Sequence, residues 1–244
     1  MTLEIIILSS IVVSMAFFVR GLTGFGSGPL MVAPLILLLD IKIVVPTAAI
    51  LAVLTGILLL STFQTIKWVR KDVLLILIPT YMIGIVLGTY VLVSFKSSLL
   101  KTLLGLFIAG YALKILFWDK EVKEVKELKN YVGVIAGLLS GITGGLFGAG
   151  GPPVVVYLAR KLRDKNALRA TLVFLFFLMD IWRVILFAYA GLINVDILKF
   201  SLYLLPAFII GNLSGSFVHI KVNQALFYRI IALVLLIIAI FLIF

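Results

Sequence analysis

The sequence predicts an all-α, polytopic integral membrane protein made of two inverted-topology repeats, each a broken helix pair followed by three transmembrane helices. Three observations lead there. Hydrophobic residues make up 64% of the 244-residue chain and charged residues only 13%, where a soluble domain carries roughly 25%. The apolar residues fall in runs of about 20, the length a helix needs to cross a ~30 Å hydrocarbon core. Glycine-rich interruptions recur in corresponding places of the two halves.

The first apolar segment, Leu3–Leu39, is too long for one span and is broken at Gly21–Pro29. Its start, Leu3–Val19, has Glu4 but no Lys or Arg, and no small-residue cleavage site follows, so it is expected to be retained rather than removed as a signal peptide. Three single spans come next: Ile43–Thr65, Val73–Ser94 and Leu99–Phe117. In the polar run Asp119–Asn130 the Lys and acidic residues cancel, and Val122, Val125 and Leu128 recur every three residues. It reads as a short surface helix joining the halves. Tyr131–Ala159 is again broken, at Gly141–Pro153, and is followed by Ala167–Ala190, Ile197–Val218 and Ala225–Phe244. The chain thus divides into a first repeat (1–118), a cytoplasmic linker (119–130) and a second repeat (131–244).

The repeat is visible in the residues. Gly21-Leu22-Thr23-Gly24 reappears as Gly141-Ile142-Thr143-Gly144, and Gly26-x-Gly28 as Gly148-x-Gly150. Pro79, Gly84 and Gly88 have the spacing of Pro206, Gly211 and Gly215. The register drifts by a few residues, as in an old duplication. In these last glycines the simpler role is close helix packing.

Charge decides the orientation. If each broken pair crossed the membrane once, the cluster Arg160, Lys161, Arg163, Lys165, Arg169 would lie opposite the other basic clusters. If each pair enters and returns, 15 basic residues face the cytoplasm and four (Lys42, Lys96, Lys101, Lys199) face out. The second arrangement satisfies the positive-inside rule and puts both termini outside. A re-entrant hairpin and two tilted spans both keep that parity. The formal charge of +11 is therefore a topology signal. Its residues sit in turns between apolar runs, not in a solvated patch with stacking aromatics, which argues against nucleic acid.

Backbone polar groups cannot go unpaired in lipid, so a broken helix must be buried in protein or line a wet cavity. Two matching breaks in inverted halves are a pointer to a transporter's central site. Pro29 and Pro152-Pro153 suit the first turn of a new helix, whose free N–H groups and partial positive charge favour an anion. Thr23, Ser27 and Thr143 add hydroxyls. Neither break completes a dinucleotide-binding glycine pattern. With one histidine (His219, expected at an interface) and no cysteine, no metal site, catalytic triad or cofactor is expected.

Ionisable residues inside a membrane are functional candidates. Arg20 directly precedes the first break, although it could instead snorkel to an interface. Asp180 and Arg183 lie mid-span, three apart on one helix face, where they can pair. That pair is either a structural lock between helices or part of an anion site. In the second case Arg20 or Arg183 attracts the anion, while Asp180 positions an arginine or carries a coupling proton.

At the breaks the sequence resembles the sulfite exporter TauE/SafE family. Gly24-Phe25-Gly26-Ser27-Gly28-Pro29-Leu30 with Pro34-Leu35 is similar to its first glycine motif, and Gly144-Gly145-Leu146-Phe147-Gly148-Ala149-Gly150-Gly151-Pro152-Pro153 to its second. The resemblance covers essentially the whole chain. It implies a plasma-membrane secondary transporter for small organosulfur anions such as sulfite, sulfoacetate and sulfonates, with the glycine-motif role falling on Gly24, Gly26, Gly28, Gly148, Gly150 and Gly151. The second motif departs from the usual triple glycine. Arg20, Asp180 and Arg183 come from the residues themselves and not from the family. The expected partners are a small anion, the lipid bilayer and a coupling proton. An anion channel with the same pore and a non-transporting membrane scaffold stand as alternatives.

Overall fold

A computed structural model describes residues 2–24, 26–62, 65–118, 129–162, 164–217 and 235–243, with side chains for all of these except 23, 61–62, 65–66, 114–118 and 165. The linker 119–130 apart from its last two residues, most of the final span 225–244, and Arg163, His219, Lys221 and Arg229 lie outside the described residues. The described residues are helical, in the order α1 (Leu3–Thr23), α2 (Ser27–Leu35), α3 (Ile41–Thr62), α4 (Lys71–Ser94), α5 (Ser97–Trp118), α6 (Asn130–Phe147), α7 (Gly151–Lys161), α8 (Lys165–Tyr189) and α9 (Val195–Phe217). A 3-10 turn, Thr65–Trp68, precedes α4, and 235–243 form a further helical stretch, α10. Six of these helices (α1, α3, α4, α6, α8, α9) are long and apolar enough to cross a membrane.

Their starts follow local chemistry. The Asp164 carboxylate accepts the Ala167 N–H at 2.7 Å to cap α8, and the Asn194 side chain does the same for Ile197 at the start of α9. Both interrupted segments have one design: a helix of full-span length followed by a short one. At 1.5 Å per residue, α1 and α6, of 21 and 18 residues, reach roughly 30 Å. The 9-residue α2 and 11-residue α7 reach about half that.

Small residues set the packing. A side chain on Gly84 would strike the Leu138 carbonyl and Gly141, and one on Gly88 the Ile142 carbonyl. The backbones of α4 and α6 therefore touch. In the other half of the contact pattern, Gly211 and Gly215 of α9 lie against the backbone of Ser14 and Phe18 in α1. These are the two most extensive helix contacts among the described residues. Each joins the leading helix of one half to the glycine-bearing span of the other.

The same pairings give directions. Gly84 to Gly88 climbs alongside Gly141 to Gly145, so α4 and α6 run parallel; Ser14 to Phe18 climbs alongside Gly211 to Gly215, so α1 and α9 do too. By contrast α3 and α8 run antiparallel. Gly56 meets Phe177, and the Arg70 N–H further along donates to the earlier Thr171 hydroxyl at 3.1 Å. The buried core gathers in two clusters: one around α1–α3 with Phe17, Phe187, Phe200 and Phe208, and one around α4, α7 and α8 with Leu77, Tyr157 and Leu175.

Candidate functional site

Both breaks begin with a helix stop on glycine. Gly24, at φ 86°, closes α1 by donating its N–H to the Arg20 carbonyl at 2.6 Å. Gly148, at φ 67°, closes α6 with a pair of bonds: its own N–H to the Gly144 carbonyl at 2.9 Å, and Ala149 N–H to the Thr143 carbonyl at 3.2 Å. The left-handed turn needs glycine at the cap, and the paired bonds satisfy carbonyls that would otherwise be orphaned. The structure thus aligns Gly24 with Gly148 and Gly26 with Gly150. This corrects the sequence register, which set Gly24 beside Gly144 and Gly26 beside Gly148. Gly144 lies inside α6, in the place that Arg20 holds in α1, each four residues before its capping glycine.

The breaks meet. A Cβ on Gly28, in the first turn of α2, would fall on the Gly148 carbonyl, so only a bare backbone fits there. A cavity of about 80 Å³ opens beside this contact. Its polar lining includes Arg20, Ser27, Tyr81, Asp180 and Arg183, with Gly26, Gly28, Gly148, Gly150 and Gly151 supplying backbone.

Three charges are wired together at its wall. Asp180 accepts from Arg20 Nη2 on one carboxylate oxygen and from Arg183 Nη2 on the other, both at 2.9 Å. Each guanidinium spends its Nη1 on a break. Arg20 reaches the Ser27 hydroxyl at 3.3 Å and Arg183 the Gly144 carbonyl at 3.0 Å. The Nε of both arginines is buried without a hydrogen-bond partner. All three residues are more than nine-tenths buried. Asp180 and Arg183 pair within α8 as their spacing predicts. Arg20, by contrast, does not snorkel outward; it crosses to α8.

Other predicted site residues stand elsewhere. Gly24 caps α1 behind the cavity, against Val173. Thr143 returns its hydroxyl to the Leu139 carbonyl of its own helix at 2.9 Å and does not line the cavity. Gly144 acts through its carbonyl. The side chain of Thr23 lies outside the described residues.

Tyr81 was missed. It belongs to α4, yet its hydroxyl lies where a side chain on Gly150 would go, and it has no hydrogen-bond partner among the described residues. The one signal for it was a phenol in an apolar span, three residues before Gly84. Tyr111 adds a second phenol to the wall, and Leu30, Ala48, Ala52 and Phe176 make its apolar part.

A family model described as "Sulfite exporter TauE/SafE" matches residues 9–242, nearly the whole chain and both breaks. Comparison with curated proteins and with solved structures produced no match.

Proposed function

The chain belongs to the sulfite exporter TauE/SafE family, a family of membrane transporters, and on that premise we propose that it is a plasma-membrane secondary transporter for a small organosulfur anion, bound in the cavity between the two breaks. One observation carries this reading: among the described residues, two buried arginines and a single carboxylate line that cavity. Guanidinium is always protonated and donates in a planar fork suited to sulfonate, sulfite or carboxylate oxygens. Two such groups against one carboxylate leave the wall short of negative charge. An anion supplies it, and each guanidinium keeps N–H groups beyond the two it gives to Asp180 and a break. The first turns of α2 and α7 add N–H groups and partial positive charge, although Pro29, Pro152 and Pro153 withhold three donors.

The inverted arrangement is part of this proposal. It requires α3 and α8 to run oppositely, while two singly crossing pairs would make them parallel; the observed antiparallel contact supports it. Both termini are then extracytoplasmic, with the linker 119–130 in the cytoplasm. Transport follows when the elements holding Arg20 and those holding Asp180 and Arg183 move against each other, with Asp180 positioning the arginines or carrying a coupling proton.

The test is flux into proteoliposomes with sulfite, sulfoacetate, taurine and acetate compared side by side. Saturable uptake of a sulfur oxyanion is expected, with loss in Arg20→Ala and in Arg183→Ala. Undiminished flux in both variants would remove the arginines from the site. Flux that never accumulates substrate, at rates far above carrier turnover, would identify a channel instead.

A further inference from the structure

Beside its charged residues the cavity has a bare wall. Because α3 runs antiparallel to α8, with Gly56 against Phe177, the α3 residues one and two turns before Gly56 lie at the level of Asp180 and Arg183. There α3 carries Ala48 and Ala52, four apart and so on one helix face. Both line the cavity and both are almost fully buried. Leu, Ile and Val make up most of this helix. A side chain of that size at either position would stand in the space next to the guanidinium groups. The cavity is open at this level because these two side chains are methyl groups.

The space is small. Its volume of about 80 Å³ is roughly half that of a ~150 Å³ apolar cavity that takes a benzene ring. A sulfur atom and its oxygens fill most of it. That head belongs with Arg20 and Arg183, which line the cavity, are more than nine-tenths buried and each hold an Nε without a hydrogen-bond partner. Any carbon the anion carries then lies against the apolar part of the wall, where Ala48 and Ala52 stand with Leu30 and Phe176.

We propose that Ala48 and Ala52 determine the size of the organic group a substrate can carry, limiting it to a short chain of one or two carbons on the oxyanion head. The inference rests on the cavity being the anion site. Methanesulfonate and ethanesulfonate are then accepted, while longer alkanesulfonates and arylsulfonates are refused. One methylene too many in an apolar pocket changes affinity by about tenfold or more, so the limit is sharp enough to measure.

The alkanesulfonates from methanesulfonate to butanesulfonate, with benzenesulfonate, share one singly charged head and differ only in the tail. Their binding to the purified full-length protein is measured by thermal-shift titration, with sulfite alongside. Wild type is expected to bind ethanesulfonate at least tenfold more tightly than butanesulfonate or benzenesulfonate. Ala48→Val and Ala52→Val narrow the wall, and each is expected to lower the affinity for ethanesulfonate relative to methanesulfonate at least tenfold. Ala52→Gly widens it and is expected to raise propanesulfonate relative to ethanesulfonate severalfold.

An affinity that stays level or rises from ethanesulfonate to butanesulfonate in wild type overturns the size limit. So does an ethanesulfonate-to-methanesulfonate ratio that is unmoved in both folded valine variants, since a merely structural role would weaken all members alike. Should the valine variants fail to fold, an unmoved propanesulfonate-to-ethanesulfonate ratio in Ala52→Gly overturns the proposal. Binding of sulfite without any alkanesulfonate overturns it while leaving an anion site in place. Binding of no member, sulfite included, overturns the anion site as well.

Discussion

The first break delivers side chains and the second delivers backbone. Around Gly24–Gly26, Arg20 and Ser27 both turn toward the cavity and toward each other. Around Gly148–Gly150 the equivalent of Arg20 is Gly144, which has only a carbonyl to offer, and Arg183 of α8 comes to that carbonyl. The second break adds two prolines and a glycine, Gly150, whose missing side chain makes room for Tyr81 from α4. Similar folds of the chain thus do unequal work. Two similar backbone breaks make the cradle, while among the described residues its charge comes from α1 and α8. In α3, the packing partner of α8 at this level, the cavity-facing residues are Ala48 and Ala52.

Four substitutions probe that contrast. The largest effect is expected where the breaks touch. Gly28→Val drives a branched side chain into the Gly148 carbonyl, with backbone on both sides to resist it. Loss of transport and of monodisperse protein is expected, read by flux and by size-exclusion profile. Arg20→Ala comes next, since it removes the charge of the first break. Asp180 would lose one of its two partners, a change worth about 3–5 kcal/mol for a buried ion pair. A large drop in melting temperature and loss of flux are expected.

Gly150→Ala tests the second break as a backbone device. Its methyl would meet the Tyr81 hydroxyl and the Ser140 carbonyl, an overpacking cost of about 1–3 kcal/mol. Partial rescue by Tyr81→Phe would tie the cost to the phenol. Tyr81→Phe alone should have the smallest effect, about 1 kcal/mol for one hydrogen bond, seen as a several-fold rise in KM with kcat nearly kept. An unchanged KM would assign Tyr81 to packing and make the second break purely structural.

Much of the helical layout was legible because lipid imposes simple rules. Continuous apolar length predicted spans, and the breaks appeared where glycine is dense and proline follows. The α8 pair was legible because three residues is a helix-neighbour spacing. The drifted repeat misled. Gly21–Gly24 and Gly141–Gly144 look alike as strings, but the helix ends are set by which glycine can take a left-handed turn with its carbonyls satisfied, and those are Gly24 and Gly148. In the sequence Thr143 reads as a site hydroxyl because it falls at the membrane depth of the breaks. On a helix its direction is fixed by the turn, and it bonds the turn before it.

By itself the sequence determined a polytopic helical protein, two broken segments and a membrane-embedded Asp180–Arg183 pair, since each follows from hydropathy, glycine conformational freedom or helical periodicity acting locally along the chain. Only the tertiary structure decided that Arg20 completes that pair, that the breaks meet through Gly28 and Gly148, and that Tyr81 stands over Gly150. Those contacts join residues from 69 to 160 positions apart. They depend on how glycine faces let helices from opposite halves approach, which no local pattern encodes.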